Sequence, residues 1–318
     1  MSDVLEVAIN GTAIGSIYAV VALGFVLVYK TSNVLNFAHG AIGAAGALML
    51  ASLVTDGGLG IGRLEGLNPF TSSAGSVWGW VINLALAMAL AALLGMTIER
   101  LAVRPMSGRS QFSVTMATIG VSISLQMFVD RAPIARILRV PWGAETWEIG
   151  GAVLPKSAFA AIAIGMLSFG ALAVFNRSRA GLAARAVASD QEAALVQGID
   201  AGRVFSLTWA MAAAFATLAA VAFSFSPRGT GAVSTAATPA LFFRALPVIA
   251  IGGWDSYLGA YVGGLAIGVI QVATGRLLSD QIDILGAGFP TIIPYVLMVI
   301  VLWVRPTGIW GQAAIRRV

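Results

Sequence analysis

Side chains able to do chemistry are few in this chain and lie far apart. It has a single histidine, His39, and no cysteine. An imidazole can bind a metal, carry protons or form hydrogen bonds. A metal site would need further ligands, and the chain has no second histidine and no cysteine to supply them. A proton relay would need carboxylates, which the apolar stretches nearby lack. We therefore interpret His39 in two ways, as a neutral group that satisfies backbone atoms where a helix breaks, or as part of a substrate path.

Asn36 is three residues before His39 and has the same two interpretations. A second polar set has spacings of three, four and four residues, which make one stripe on an α-helix. The stripe comprises Thr115, Thr118, Ser122 and Gln126. Serine and threonine also serve as small packing residues in membrane helices, whereas the amide of Gln126 needs several partners in hydrocarbon. The stripe predicts either a polar pathway or helix contacts.

Arg244 lies within an apolar segment, where a charged side chain is usually functional or paired. It could line the substrate path, pair with Asp255, or extend to the membrane surface as long basic side chains do. Asp255, in IGGWDSYLG, could instead cap the helix that follows. The sequence leaves these alternatives open.

The elements that must position these residues are membrane helices. The chain has 318 residues, of which 58% are hydrophobic and 10% charged, against roughly 25% charged in a soluble domain. Seven apolar runs come near the ~20 residues that a helix needs to cross the hydrocarbon. They are Ala13–Tyr29, Val77–Ile98, Phe112–Val129, Ser157–Phe175, Val204–Phe225, Tyr257–Ala273 and Pro290–Val304. Two more, Asn36–Val54 and Leu241–Gly253, are interrupted by glycine. We predict one domain over 1–318, an all-α integral membrane protein with eight or nine membrane segments, some of them discontinuous.

Basic residues predict the orientation, because they favour cytoplasmic loops. They concentrate in 99–109, 176–203 and the tail from Arg305, so we place the amino terminus outside and the carboxyl terminus inside, with nine crossings if Leu241–Gly253 spans. The basic loop 130–156 conflicts with this assignment. In so apolar a chain the net charge of +5 does not indicate nucleic acid.

Two glycine-rich stretches, HGAIGAAG and LGAYVGG, align Gly40 with Gly259 and Ala45 with Gly264. Broken segments in corresponding halves of a transporter indicate an inverted repeat around a central pathway. Small residues four apart equally favour close helix packing. Both interpretations predict the same residues.

The polar segment Asn176–Trp209 predicts short helices punctuated by glycine. Because such a loop is joined to two membrane spans, its movement can change the tilt of both. Within it, EAALVQG matches the Glu-Ala-Ala-x-x-x-Gly pattern of ABC-transporter permeases, where the loop forms a coupling helix in a groove of the ATPase. The longer pattern continues with Ile-x-Leu-Pro, which this chain lacks, so a different permease class is indicated.

Further stretches resemble one such class in order and over nearly the whole chain. They are GSIYAVVALGFVLVYKTSNVLNFAHGAIGAAGA, TIGVSISLQ, GLAARAVASDQEAALVQGIDAGRVFSLTWAMAAAFATLAA and the terminal RPTGIWG. Together they resemble the LivH-type permease of branched-chain amino acid ABC transporters. Substrates of that family also include urea, amides and aromatic acids.

The resemblance implies a multi-pass subunit of a bacterial inner-membrane importer. Its partners would be a second, LivM-like permease, two ATPases, a periplasmic binding protein and membrane lipid, and not nucleic acid. This chain has no Gly-x-x-x-x-Gly-Lys-Ser/Thr loop, so we expect no enzyme activity and no cofactor here, with ATP and Mg on the partners. Contact with the ATPase is expected through Gly181, Arg185, Asp190, Glu192, Ala193, Ala194 and Gly198. The alternative is a secondary transporter or channel that works alone.

Overall fold

The computed structural model describes residues 2–55, 77–131, 137–226, 231–233, 237–278 and 288–311. Within these ranges it contains nine apolar helices. They are α1 (Ser2–Ser32), α2 (His39–Thr55), α3 (Val77–Ile98), α4 (Gln111–Arg131), α5 (Lys156–Arg177), α8 (Ala201–Phe225), α9 (Ala237–Gly252), α10 (Tyr257–Leu277) and α11 (Phe289–Val304). Two short polar helices, α6 (Arg179–Ser189) and α7 (Gln191–Val196), join α5 to α8. The tail beyond residue 311 lies outside the described residues.

Six of the nine apolar helices are long enough to cross a membrane by themselves, and α2, α9 and α11 are shorter. A polytopic helical bundle is thereby confirmed, and α2 and α9 coincide with the two segments predicted to be discontinuous. The chain is a multi-pass membrane protein.

One β-hairpin, which the sequence analysis did not predict, lies between α4 and α5. Its strands are β1 (Thr146–Ile149) and β2 (Ala152–Pro155), and Trp147 pairs with Leu154. Gly150 and Gly151 form the turn with φ of 58° and 80°, a left-handed conformation that glycine adopts without strain.

The centre of the bundle is α1. Its most apolar stretch is 94% buried, against 28% for α3, α4 and α5. It packs antiparallel on α10 through small residues: a Cβ at Gly268 would lie 2.2 Å from the Gly15 nitrogen, and one at Gly264 would lie 2.7 Å from the Ala19 Cβ. Only glycine allows the two backbones to approach this closely. We call these contacts of Gly11, Gly15 and Ala19 with Gly264 and Gly268 the glycine seam.

The other glycine-rich stretch packs on α8. A Cβ at Gly43 would lie 2.6 Å from the Ala216 carbonyl oxygen, and one at Gly46 would lie 2.1 Å from the Thr217 hydroxyl. Both stretches therefore contribute small residues to close helix contacts, as the packing interpretation predicts. The inverted repeat stays a prediction.

Loops that the charge pattern placed on one side of the membrane meet at one end of the bundle. There, Lys30 contacts Asp255, Arg104 contacts Gly202, and the turn around Gly308 packs on Gly253. At the other end Arg276 pairs with Asp3. The basic loops thus share one end, as predicted, while the side of the membrane that this end faces stays a prediction. We call it the cytoplasmic end below.

Candidate translocation and coupling sites

The chain breaks between α1 and α2, at residues 33–38. A Cβ on Gly24 would lie 2.6 Å from Cε1 of His39. Gly24 is eight positions before the end of α1, which corresponds to about 12 Å of helix rise. The start of α2 therefore lies at that depth beside α1. Residues 33–38 therefore return into the bundle outside a regular helix, and only their ends keep helical hydrogen bonds, from the Asn33 N–H to the Tyr29 carbonyl and from the Ile42 N–H to the Ala38 carbonyl. In hydrocarbon such backbone persists only where protein groups or water satisfy it.

Asn36 and Thr118 satisfy that backbone. The Asn36 Oδ1 accepts a hydrogen bond from the Ala38 N–H at 3.0 Å. The Thr118 hydroxyl lies 3.0 Å from the Leu35 carbonyl oxygen and accepts from the Phe37 N–H at 3.2 Å. Both side chains are buried. Their geometry matches the interpretation that they bond to unwound backbone, and contact with substrate stays a prediction for both.

His39 is the first residue of α2 and is 1% exposed. Its ring lies beside Gly24 and 6.3 Å from the Phe242 ring, centroid to centroid. Phe242 in turn contacts Phe25 and Phe37. The imidazole thus lies in an aromatic cluster beside the break, and neither of its nitrogens has a hydrogen-bond partner within the described residues. The interpretation that it satisfies backbone atoms is therefore not supported, and contact with substrate stays a prediction.

The stripe on α4 faces inward as its spacing predicted. Thr115, Thr118 and Ser122 are buried, while Met116 and Ile123, on other faces of the same helix, are exposed. The Gln126 amide donates to the Ser122 hydroxyl at 3.1 Å. Thr118 bonds to the break before α2, so the stripe positions α4 against that break.

The segment between α9 and α10 corrects one prediction. The hydroxyl of Ser256, and not the carboxylate of Asp255, caps α10 by accepting from the Gly259 N–H at 3.0 Å. The Asp255 carbonyl accepts from the Lys30 ammonium at 2.9 Å. Arg244 lies in α9, half-buried. Its pairing with Asp255 and its place in the substrate path stay predictions.

The helix pair α6–α7 at the cytoplasmic end has well-defined caps. The Ser178 hydroxyl accepts from the Gly181 N–H at 3.2 Å, and the Asp190 carboxylate accepts from the Ala193 N–H at 3.0 Å. Gly198, with φ of 80°, ends the turn after α7. Such caps satisfy the free N–H groups of a helix and fix where it begins.

The predicted coupling residues divide into two groups. Gly181 and Ala194 face inward: a Cβ at Gly181 would lie 2.1 Å from the Phe175 carbonyl oxygen, and Ala194 packs with Val187 and Val204. Arg185 donates to the Asn176 carbonyl and so ties α6 to the end of α5. The residues of the sequence motif that face outward on α7 are Glu192 and Ala193, beside the exposed side chains of Leu195 and Val196. We call these four residues the outer face of α7.

Comparison with known proteins decides the family. Residues 7–302 match the family model described as "Branched-chain amino acid transport system / permease component". The chain belongs to this permease family. It is 29% identical to the high-affinity branched-chain amino acid transport system permease LivH of Escherichia coli K12, over 99% of this chain and 97% of LivH.

Two further relatives widen the range of organisms. The permease is 29% identical to BraD of Pseudomonas aeruginosa, over 99% of this chain and 98% of BraD. It is 24% identical to a probable LivH of Methanocaldococcus jannaschii, over 93% of this chain and 89% of the relative. No solved structure matches it. The resemblance seen in its motifs is thereby confirmed over the full length.

A buried ionic cluster at the cytoplasmic end of the permease was missed by the sequence analysis. The Glu99 carboxylate is 1% exposed and accepts two hydrogen bonds from Arg104, at 3.0 and 2.8 Å, and one from the Ser206 hydroxyl at 2.8 Å. Arg104 also donates to the Gly202 carbonyl at 2.7 Å. The cluster fastens the end of α3 to the start of α8, directly after the α6–α7 pair.

Local geometry explains why the cluster was missed. Residues Glu99–Val103 form a π-helical turn and Arg104–Met106 a 3-10 turn. Glu99 and Arg104, five residues apart, would diverge on a regular α-helix, but the widened turn brings them together. A glutamate directly after an apolar span, with an arginine soon after it, was the available signal.

Replacing Thr118 with valine is expected to destabilise the permease by about 1–3 kcal/mol. Valine keeps the shape of threonine but leaves the Phe37 N–H without its hydroxyl acceptor in a buried setting, and it removes the donor that the Leu35 and Thr115 carbonyls share. Thermal unfolding in detergent measures the effect. The matched control is Ser124→Ala on the same helix, whose exposed hydroxyl bonds only to Gly120 of its own helix; we expect a change of less than about 0.5 kcal/mol. Equal losses in both variants would contradict a role for Thr118 at the break.

Proposed function

We propose that this permease is a membrane-spanning subunit of an ATP-driven importer that carries branched-chain amino acids or a related small solute into the cell. The relatives named above are permeases of branched-chain amino acid transport systems. Their similarity to this chain supports branched-chain amino acids as its substrate class. The observation that carries the ATP-driven mechanism is the outer face of α7, in a short capped helix at the cytoplasmic end.

The mechanism follows from how α6 and α7 are attached. Both belong to one small apolar core with the ends of α5 and α8, through Phe175, Val187 and Val204. A force on the outer face of α7 therefore moves the ends of two membrane helices together. Because α8 packs on α1, α2 and α3, its tilt changes the packing around the break before α2. In this proposal that movement opens the substrate path alternately to each side.

The partners in this proposal have separate tasks. Two ATPases bind ATP and Mg and press on α7 from the cytoplasm, and a second permease completes the pore in the bacterial inner membrane. A periplasmic binding protein selects the solute and delivers it. The permease itself changes no covalent bond.

Reversing the charge of Glu192 tests the proposal. Glu192 is exposed in the first turn of α7, so arginine there places the wrong charge at an ATPase contact without disturbing the core. We expect Glu192→Arg to lower substrate-stimulated ATP hydrolysis by about tenfold, the effect of about 1.4 kcal/mol at an interface. The assay uses the permease co-purified with its ATPases, second permease and binding protein.

The matched control is Glu148→Arg, the same reversal at an exposed position of β1 at the opposite end. It should leave the contact with the ATPases, measured by co-purification, unchanged. Solute uptake by vesicles that hold this chain alone would contradict the ATP-driven mechanism and favour the stand-alone transporter.

A further inference from the structure

A cavity of about 320 Å³ opens at the cytoplasmic end of the bundle, where α1, α5 and α10 converge. Its volume lies at the lower end of the roughly 300–1,000 Å³ of sites that bind small molecules. The lining residues that matter here are Lys30, Asp255, Tyr257, Phe169, Leu172 and Asn176.

Two opposite charges line this cavity. The Lys30 ammonium donates to the Asp255 carbonyl at 2.9 Å and lies 4.9 Å from the centroid of the Tyr257 ring. These contacts hold the cation at the end of α1. An ammonium has three donors, so it can bind a further acceptor in the cavity. Asp255 supplies a carboxylate on the same wall, and both residues are half-buried and reachable.

Beside polar groups such as Asn176 and Ser256, the wall has an apolar part that is fixed in position. Phe169 and Leu172 are on α5, one turn apart, and the Phe169 ring stacks on Tyr261 of α10 with centroids 4.5 Å apart. The stack joins α5 to α10 beside α1. A branched aliphatic side chain would find an apolar surface here within reach of both charges.

We propose that this cavity binds a free α-amino acid as its zwitterion. The substrate carboxylate binds the Lys30 ammonium, its ammonium binds the Asp255 carboxylate, and its side chain packs on Phe169 and Leu172. Lys30 and Asp255 supply a cation and an anion beside Phe169 and Leu172, and the Arg185 guanidinium is close enough to act on Lys30 and Tyr257. A cation and an anion side by side match a zwitterion and mismatch a ligand that lacks either charged group. The inference rests on the proposed function and names the substrate class.

The position of the cavity connects it to the coupling helices. Asn176 lines the cavity, and its carbonyl accepts the hydrogen bond from Arg185 of α6. Movement of α6 therefore acts directly on the cavity wall. The cavity is the last binding site of the amino acid before its release, and its affinity depends on the state of the ATPases.

Equilibrium binding of radiolabelled leucine to the complete complex in nanodiscs, without binding protein or ATP, tests the site. We expect Lys30→Met and Asp255→Asn each to weaken binding about tenfold, as for loss of one charged hydrogen bond. Leucinamide, which lacks the carboxylate, and 4-methylpentanoate, which lacks the ammonium, serve as competitors. Lys30→Met should abolish the preference for leucine over leucinamide, and Asp255→Asn the preference over 4-methylpentanoate.

Two controls separate binding from folding. Lys30→Arg keeps the charge and should retain the preference for leucine over leucinamide, and Asp3→Asn, which removes an exposed ion pair at the opposite end, should leave leucine affinity unchanged. Wild-type affinity in both test variants, or no leucine binding to the wild type, overturns the inference. A third result would also overturn the inference. If a phospholipid co-purifies with the wild type and is lost from Lys30→Met while leucine binding persists, the cavity binds a lipid headgroup. ATP-dependent leucine uptake with binding protein present tests the proposed function separately.

Discussion

Replacing Gly268 with alanine is expected to prevent the permease from folding correctly. The added Cβ would lie 2.2 Å from the Gly15 nitrogen and 2.4 Å from the Gly11 carbonyl oxygen. These are backbone atoms of α1, which cannot turn aside as a side chain can, so α1 and α10 must separate. Overpacking commonly costs about 1–3 kcal/mol and sometimes more, and here we expect at least about 3 kcal/mol because the central helix pair is affected. The fraction of monodisperse protein after detergent extraction, and its unfolding temperature, measure the loss.

Gly170→Ala provides the matched control for the glycine seam. Gly170 lies in the middle of α5, and a Cβ there meets no atom within 4 Å. Alanine lowers the conformational freedom of the unfolded chain, so we expect a neutral effect or a gain of up to about 1 kcal/mol. Normal yield of Gly268→Ala would show that α1 and α10 can part without cost, contrary to the packing described.

Removing the Arg104 side chain is expected to cost about 3 kcal/mol of stability. Arg104→Met leaves the Glu99 carboxylate, 1% exposed, with the Ser206 hydroxyl but without its paired cation. Breaking a buried ion pair typically costs about 3–5 kcal/mol, and we take the lower value because Arg104 itself is 41% exposed. Thermal unfolding of the purified permease measures the change. ATP hydrolysis by the complex should fall as well, because the start of α8 loses its tie to α3.

Two comparisons isolate the buried charge. Adding Glu99→Gln to Arg104→Met should recover much of the lost stability, since the carboxylate is then gone. Arg276→Met removes the partner of Asp3 from a pair in which both side chains are more than half exposed, and we expect less than about 1 kcal/mol. Equal losses for Arg104→Met and Arg276→Met would contradict the role given to burial.

Much of the helical architecture was predictable from apolar run length. The run Val77–Ile98 has the same bounds as α3, and Pro290–Val304 differs from α11 by one residue. The spacing of Thr115, Thr118 and Ser122 correctly predicted that these side chains share one face of α4, and the structure shows that this face is buried. These features depend on local composition and periodicity, which a single sequence carries.

Contacts between distant segments were not predictable in this way. Glu99 and Ser206 are 107 positions apart, and Lys30 and Asp255 are 225 apart. Apolar periodicity says which face of a helix is buried but not which helix covers it. The sequence offered Asp255 as a cap of α10, one residue before the observed cap, because Asp255 and Ser256 are both good capping residues, and only the backbone path decides between them.

The central position of α1 has a consequence for biosynthesis. Its principal partner, α10, begins about 225 positions later, as the separation of Lys30 and Asp255 shows. At a synthesis rate of about 5–20 residues per second, α1 is in the membrane for roughly 10–45 s before α10 has been made. During that interval the narrow groove formed by Gly11 and Gly15 faces lipid or the helices made between α1 and α10. A helix made early thus meets its principal partner late, and the packing of α10 onto α1 closes the glycine seam only near the end of synthesis.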